Sequence, residues 1–215
     1  MASDTYALAP GKRDKEQRRQ TLIDVANAVF AEHGFDAATT REIAERAGCS
    51  EGLIHRYFNG KRGLLLAILE SKATHVADDF DAVLADRPTV EEEIEQLLLW
   101  HLDVFWERRD FMRVAVSQAA IDPEIGRTIS AGINTNRVKL IVEKLRRHQE
   151  AGRIRAGVDL EAIAHSIAGL GFSIGFVYQV CFGEGPALLR RIMLGAAVAI
   201  SRGIVPDARQ ERSPQ

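Results

Sequence analysis

Cysteine is scarce in this chain. Cys49 and Cys181 lie far apart and form no CxxC pair. That spacing fits neither a disulfide framework nor a zinc site, and it fits a cytoplasmic compartment. No segment sustains the apolar–polar alternation of a strand, so the chain reads as all-α. A long uninterrupted apolar run is also missing. Ile163 to Phe182 comes nearest, but His165, Ser166, Ser173 and Gln179 break it, which predicts a buried helix and no membrane span. The opening MASDTYALAPGKR lacks the apolar core of a secretory signal. There is no Ser/His/Asp set, nucleotide-binding loop or HExxH run, and the histidines are scattered. These absences argue against an enzyme, and no cofactor or metal is expected.

What is present is ordinary in bulk and uneven in detail. A length of 215 residues with 46% hydrophobic content suffices for a sizeable core. The net charge is −2, yet residues 1–62 carry ten Lys/Arg against nine Asp/Glu. Positive charge gathers at Lys12 to Arg19 and again at Arg41, Arg56, Lys61 and Arg62. A local basic face on an acidic body suits phosphate binding with little nonspecific attraction.

Residues Thr39 to Lys61, TTREIAERAGCSEGLIHRYFNGK, carry the most information. Thr39 and Glu42 have the spacing of a capping box. Ile43 and Ala44 form the inward face of a short helix, and Gly48 ends it. Ser50 stands where the next helix needs an N-cap, and Leu53, Ile54 and Tyr57 give that helix a buried side. Small Ala44 permits a close crossing. This pattern predicts a helix-turn-helix, whose second helix enters the major groove of DNA. Thr40 and Arg41 open the first of the two helices, where free N–H groups suit a phosphate oxygen. Arg56 suits guanine or a phosphate; Glu51 suits a cytosine amino group or the helix dipole.

Thr40-Arg41-Glu42-Ile43-Ala44, Ala47 to Gly52, Tyr57-Phe58 and Lys61 resemble the signature of TetR-type bacterial transcriptional regulators. The run Leu22 to Gly34 followed by Phe35 is similar to that family's first helix. The resemblance covers about residues 15–70. It implies that Ser50, Glu51, Gly52, Leu53, His55 and Arg56 form the exposed face of the recognition helix. It also implies that Tyr57 and Lys61 join Thr40 and Arg41 on phosphates. The family usually has tyrosine at position 55 and histidine at 57, the reverse of this chain, which bears on operator sequence.

The predicted order is an arm at 1–13, a helix-turn-helix domain at 14–62, a ligand-binding and dimerisation domain at 63–205 and a polar tail at 206–215. Apolar spacing predicts helices near Lys15–Glu32, from Lys61 past Val76, Phe80 and Val83, and near Val90–Trp106, Asp110–Ala120, Leu160–Cys181 and 186–202. Thr89 and Glu92 repeat the capping-box spacing. Gly126 and Gly132 argue against one continuous helix between Pro123 and Gly152.

Trp100, His101, Phe105, Phe111, Phe172 and Phe176 fall at helical spacing and suit either a filled core or a cavity. The resemblance implies an inducer pocket in the body, hence a small apolar or aromatic ligand. Ala164, Ala168, Gly171 and Gly175 form a small-residue stripe, and Ile192, Ala196 and Ala199 lie on the last helix. These two helices are expected to pair in a homodimer, as the family uses them. The functional expectation is a ligand-released repressor acting as a homodimer on a palindromic double-stranded DNA operator. A helical ligand-binding module or enzyme without DNA is the alternative.

Overall fold

The computed structural model describes residues 10–74 and 85–206, and among them there is no strand. The helices are α1 (Pro10–Ala37), α2 (Thr40–Arg46), α3 (Glu51–Phe58), α4 (Lys61–Thr74), α5 (Val90–Glu107), α6 (Arg109–Ile121) and α7 (Pro123–Ile129). A π-helical turn, Ser130–Asn134, joins α7 to α8 (Thr135–Glu150). Then come α9 (Leu160–Phe172), prolonged by a π-helical segment Ser173–Cys181, and α10 (Pro186–Ile204). Helix α1 starts inside the expected arm. Val76, Phe80 and Val83 and the polar tail after Pro206 lie outside the described residues.

The chain divides into two compact units. The first holds the residues up to Ser71 together with Arg113–Thr128; the second holds Lys72–Met112 and the chain from Ile129. Arg113–Thr128 thus pack with the N-terminal helices, although their place in the sequence puts them in the expected body domain.

In the first unit, Leu22, Ala26, Val29 and Phe30 of α1 bury against the inward face of α2, Ile43 and Ala44. Ile54 and Phe58 of α3 complete this core. Gly48 takes φ +65°, the left-handed geometry that the tight turn after α2 requires. Thr39 caps α2 by accepting from the Glu42 N–H at 3.1 Å. The Glu42 carboxylate does not return the bond; it pairs with Arg46 at 2.8 Å. The reciprocal box forms instead at Thr89 and Glu92, which open α5. Ser50 has N-cap backbone geometry without a side-chain cap bond.

In the second unit α5 is central and packs against α8, α9 and α10. Its buried face includes Ile94, Leu97, Leu98, Trp100, Val104 and Phe105. Glu93 is also buried, although its sequence context of three acids suggests only a helix-dipole role. Its carboxylate accepts from the Arg87 N–H at 2.9 Å and lies 3.3 Å from Lys144 Nζ. Lys144 further donates to Asp86 at 3.1 Å. The helix from Leu160 to Cys181 is apolar and long enough to cross a membrane by composition alone, and 44% of its most apolar window is buried within the protein.

His101 is fully enclosed on α5, where its Nδ1–H donates to the Leu97 carbonyl at 2.6 Å. Burial, followed by the nearby Arg137 charge, lowers its pKa to about 3. The unfolded chain, with histidine near 6.5, therefore takes up a proton first. This contribution to stability is complete above about pH 6.5 and is lost as pH falls toward 3. We expect a loss of about 2 kcal/mol between pH 6.5 and 5 from this residue. Urea titrations at both pH values measure it, and His101→Asn should remove most of the difference.

Candidate nucleic-acid interface and body site

Helices α2 and α3 place a connected set of polar groups on one face. Glu51, Gly52, His55 and Arg56 are exposed along α3, while Leu53 and Tyr57 are half-buried. Thr40 Oγ1 donates to the Glu51 carboxylate, which ties the start of α2 to the start of α3. Arg41 is exposed and pairs with Glu45 at 2.9 Å on its own helix. Lys15 of α1 lies 5.8 Å from the Tyr57 ring centroid and the Arg19 guanidinium 5.4 Å from that of Phe58, which brings these two cations beside α3. Ser50 and Gly52 present no bulk at the start of α3, and a Cβ at Gly52 would meet no neighbouring atom within 4 Å.

Several basic residues of this unit are already engaged. Arg46 pairs with Glu32 at 2.7 Å, and Arg62 donates to Asp122 at 2.6 and 3.1 Å and also to Glu124. Lys61 is engaged as well. The sequence suggests a phosphate ligand, but its ammonium donates to the carbonyls of Phe35, Asp36 and Ala38 at 2.7, 3.1 and 3.0 Å. An ammonium has three N–H donors, and all three are used to close the end of α1. Lys61→Ala should therefore loosen the α1–α2 corner by about 2 kcal/mol. Hydrogen exchange at residues 35–40 would rise, and DNA affinity would fall without a change in its salt dependence. A salt slope shallower by about one unit would instead return Lys61 to the phosphates. Arg56 is left as the exposed cation of α3, and no described carboxylate pairs with it.

The aromatic set of the body is interdigitated. Phe105 lies 5.8 Å from Phe172 and 6.3 Å from Phe176, those two rings stack at 5.5 Å, and His101 lies 6.0 Å from Phe105. Trp100 meets His101 edge-on at 5.0 Å. Phe111 stands apart from this stack, beside a cavity of about 20 Å³ that Phe105 also lines. The small-residue stripe explains the density. Ala164, Ala168, Gly171 and Gly175 are buried within their own chain. A Cβ on Gly171 would run into the His101 ring, and one on Gly175 would lie 2.8 Å from both the His101 carbonyl oxygen and the Phe105 ring. Gly171 and Gly175 let α9 and its π-helical extension approach α5 closely within the chain. Ile192 and Ala196 are half-buried and Ala199 is exposed on α10. The thiol of Cys49 is pushed up by burial, and Cys181 is exposed although an apolar context suggests burial. Among the described residues no cluster of His, Cys, Asp and Glu could hold a metal.

A short α2, a glycine turn and an α3 with an open polar face, held by α1, define a helix-turn-helix DNA-binding protein of the all-α regulator class. The family described as "Bacterial regulatory proteins, tetR family" matches residues 22–68. The HTH-type transcriptional repressor AcnR of Corynebacterium diphtheriae is 30% identical over 151 residues, covering 68% of this chain and 73% of that protein. This chain belongs to the TetR family of transcriptional regulators and is a DNA-binding regulator, not an enzyme. The solved structure of a putative TetR-family regulator from Mesorhizobium loti shares the fold, with TM-score 0.75, 21% identity and coverage of 89% and 98% of the two chains. A putative regulator from Saccharomonospora viridis, solved in complex with choline, has TM-score 0.70 at 20% identity and coverage of 89% and 100%.

Proposed function

We propose that this protein is a cytoplasmic, ligand-released repressor that binds a palindromic operator as a homodimer. The observation that carries the DNA half is the open face of α3, where Arg56, His55 and Glu51 are free of the core. Arg56 and His55 read base edges, Glu51 orders the α2 start through Thr40, and Thr40, Arg41, Ser50 and Tyr57 lie toward the phosphates. Gly52 and Leu53 allow the helix to lie close against the duplex. Two copies related by a two-fold axis require half-sites of inverted sequence.

The dimer half rests on the outer faces of α9 and α10. Gly169 and Gly195 are open, and Leu170, Val177, Ile192 and Val198 are only half-buried. An apolar, small-residue surface of this kind suits a four-helix contact between copies. The ligand half is supported, at the level of the family, by family membership and by a structural neighbour solved in complex with choline.

Selection of bound sequences from random duplexes, with sedimentation of the free protein, tests the proposal. The expected result is an inverted repeat bound by a dimer. Arg56→Ala should lower affinity about tenfold or more and relax one base position in each half-site. Gly195→Glu should give folded monomers, because a side chain at Gly195 meets nothing within its own chain. A wild-type monomer at micromolar concentration, or no selected sequence, would end this reading.

A further inference from the structure

We infer that the body binds an amphipathic carboxylate, its anionic head held by Arg137 and its apolar portion lying toward Phe111 and Met112. The inference rests on the ligand-responsive reading above and supplies the chemical class of that ligand.

Arg137 sits on α8 and is only 8% exposed. Its Nε has no hydrogen-bond partner, and no carboxylate among the described residues forms an ion pair with it. Its guanidinium carbon lies 5.1 Å from the Phe105 centroid and 5.8 Å from that of Trp100. Ring faces offset part of the desolvation of a cation, but they supply neither a full negative charge nor an acceptor for the N–H groups. Elsewhere on the same helix a buried cation is neutralised: Lys144 has both Glu93 and Asp86. Arg137 therefore departs from the rule that buried charges are paired, and it does so at a cavity.

Among the described residues, that cavity of about 20 Å³ is bordered by three cationic side chains, Lys72, Arg108 and Arg137, and by no acidic one. Its volume admits a water-sized group, the scale of a carboxylate oxygen. Phe111 and Met112 are half-buried at its edge, so an apolar chain has a wall to follow and flexible methionine to displace. His101 does not substitute as the ligand's anchor, because its Nδ1–H is spent on Leu97 and burial keeps the ring neutral. Burial, and then Arg108, push the Arg137 pKa down to about 10, which still leaves it charged at neutral pH. A cationic ligand would add to this repulsion, and a neutral one would leave it in place. A carboxylate removes it through charge-assisted hydrogen bonds to the planar guanidinium.

The test uses the full chain without DNA and three probes of one length: decanoate, 1-decanol and decyltrimethylammonium. An aromatic pair, 3-phenylpropanoate and 3-phenylpropanol, runs beside them. Calorimetry and thermal shift should give a carboxylate about tenfold or more tighter than its alcohol, with no response to the ammonium compound. Arg137→Met should raise the melting temperature without probe, since it replaces an unpaired buried charge with a similar apolar stem. It should also bring carboxylate and alcohol to equal affinity. Lys72→Met, at a less buried position, should weaken the carboxylate several-fold and serves if the first variant aggregates. Equal binding of carboxylate and alcohol, no binding of any probe, or a carboxylate preference that survives Arg137→Met would overturn the proposal. So would a melting temperature lowered by Arg137→Met, which would mark the guanidinium as a packing element. The two readings separate in a DNA-release assay. A carboxylate that binds through Arg137 without releasing DNA ends the ligand-release function and keeps the site. Release by other compounds, with no carboxylate preference, does the reverse.

Discussion

Gly63→Ala is expected to unfold the helix-turn-helix and abolish operator binding. Alanine at a helical glycine ordinarily stabilises by about 0.5–1 kcal/mol, because it restricts the unfolded chain. Here the sign reverses. A Cβ on Gly63 would overlap the backbone carbonyl oxygen of Phe58, the last residue of α3. Backbone cannot rotate aside as a side-chain tip can, and Phe58 is anchored in the core at 7% exposure. The Asn59-Gly60 turn between α3 and α4 is already tight, with both residues at positive φ. Relieving the overlap means separating α3 from α4, at a cost of about 3 kcal/mol or more. Hydrogen exchange should show residues 51–71 deprotected while the second unit keeps its protection. Unchanged exchange and DNA binding would mean that the turn can widen freely.

Gly171→Ala is the corresponding prediction for the body. The new methyl group would enter the His101 ring, which is fully buried and held by its bond to Leu97. The α5–α9 approach would have to open, disturbing the Phe105–Phe172–Phe176 stack. A loss of about 3 kcal/mol is expected in urea unfolding followed by Trp100 fluorescence. Gly169→Ala, two residues earlier, is the control. Its Cβ meets nothing within 4 Å, so it should be neutral or slightly stabilising. If Gly171→Ala changed only the dimer dissociation constant, the stripe would belong to the intersubunit surface after all.

The sequence alone determined the all-α class, most helix limits and the helix-turn-helix, because those signals are local. A threonine cap, the glycine after α2 and apolar residues three and four apart act within one or two turns of helix; Gly48, Ile43 and Ile54 do in the structure what their spacing implies, and Thr39 caps α2 although Glu42 does not complete the box. What periodicity leaves open is the identity of the surface a residue meets. The stripe at Ala164, Ala168, Gly171 and Gly175 announces a close helix contact, but only tertiary packing decides that Gly171 and Gly175 meet α5 of the same chain. Charge is subject to the same limit. Lys61 reads as a phosphate ligand until carbonyls 23 to 26 residues away claim its three donors, and Arg62 is matched by acids 60 and 62 residues distant. Arg137 lies in a polar stretch, TNRVKL, where a basic residue ordinarily faces water. Its burial beside Phe105 and Trp100 depends on how α8 rests on α5, a long-range arrangement that no short segment encodes, because a side chain's solvation is set by neighbours remote in the sequence.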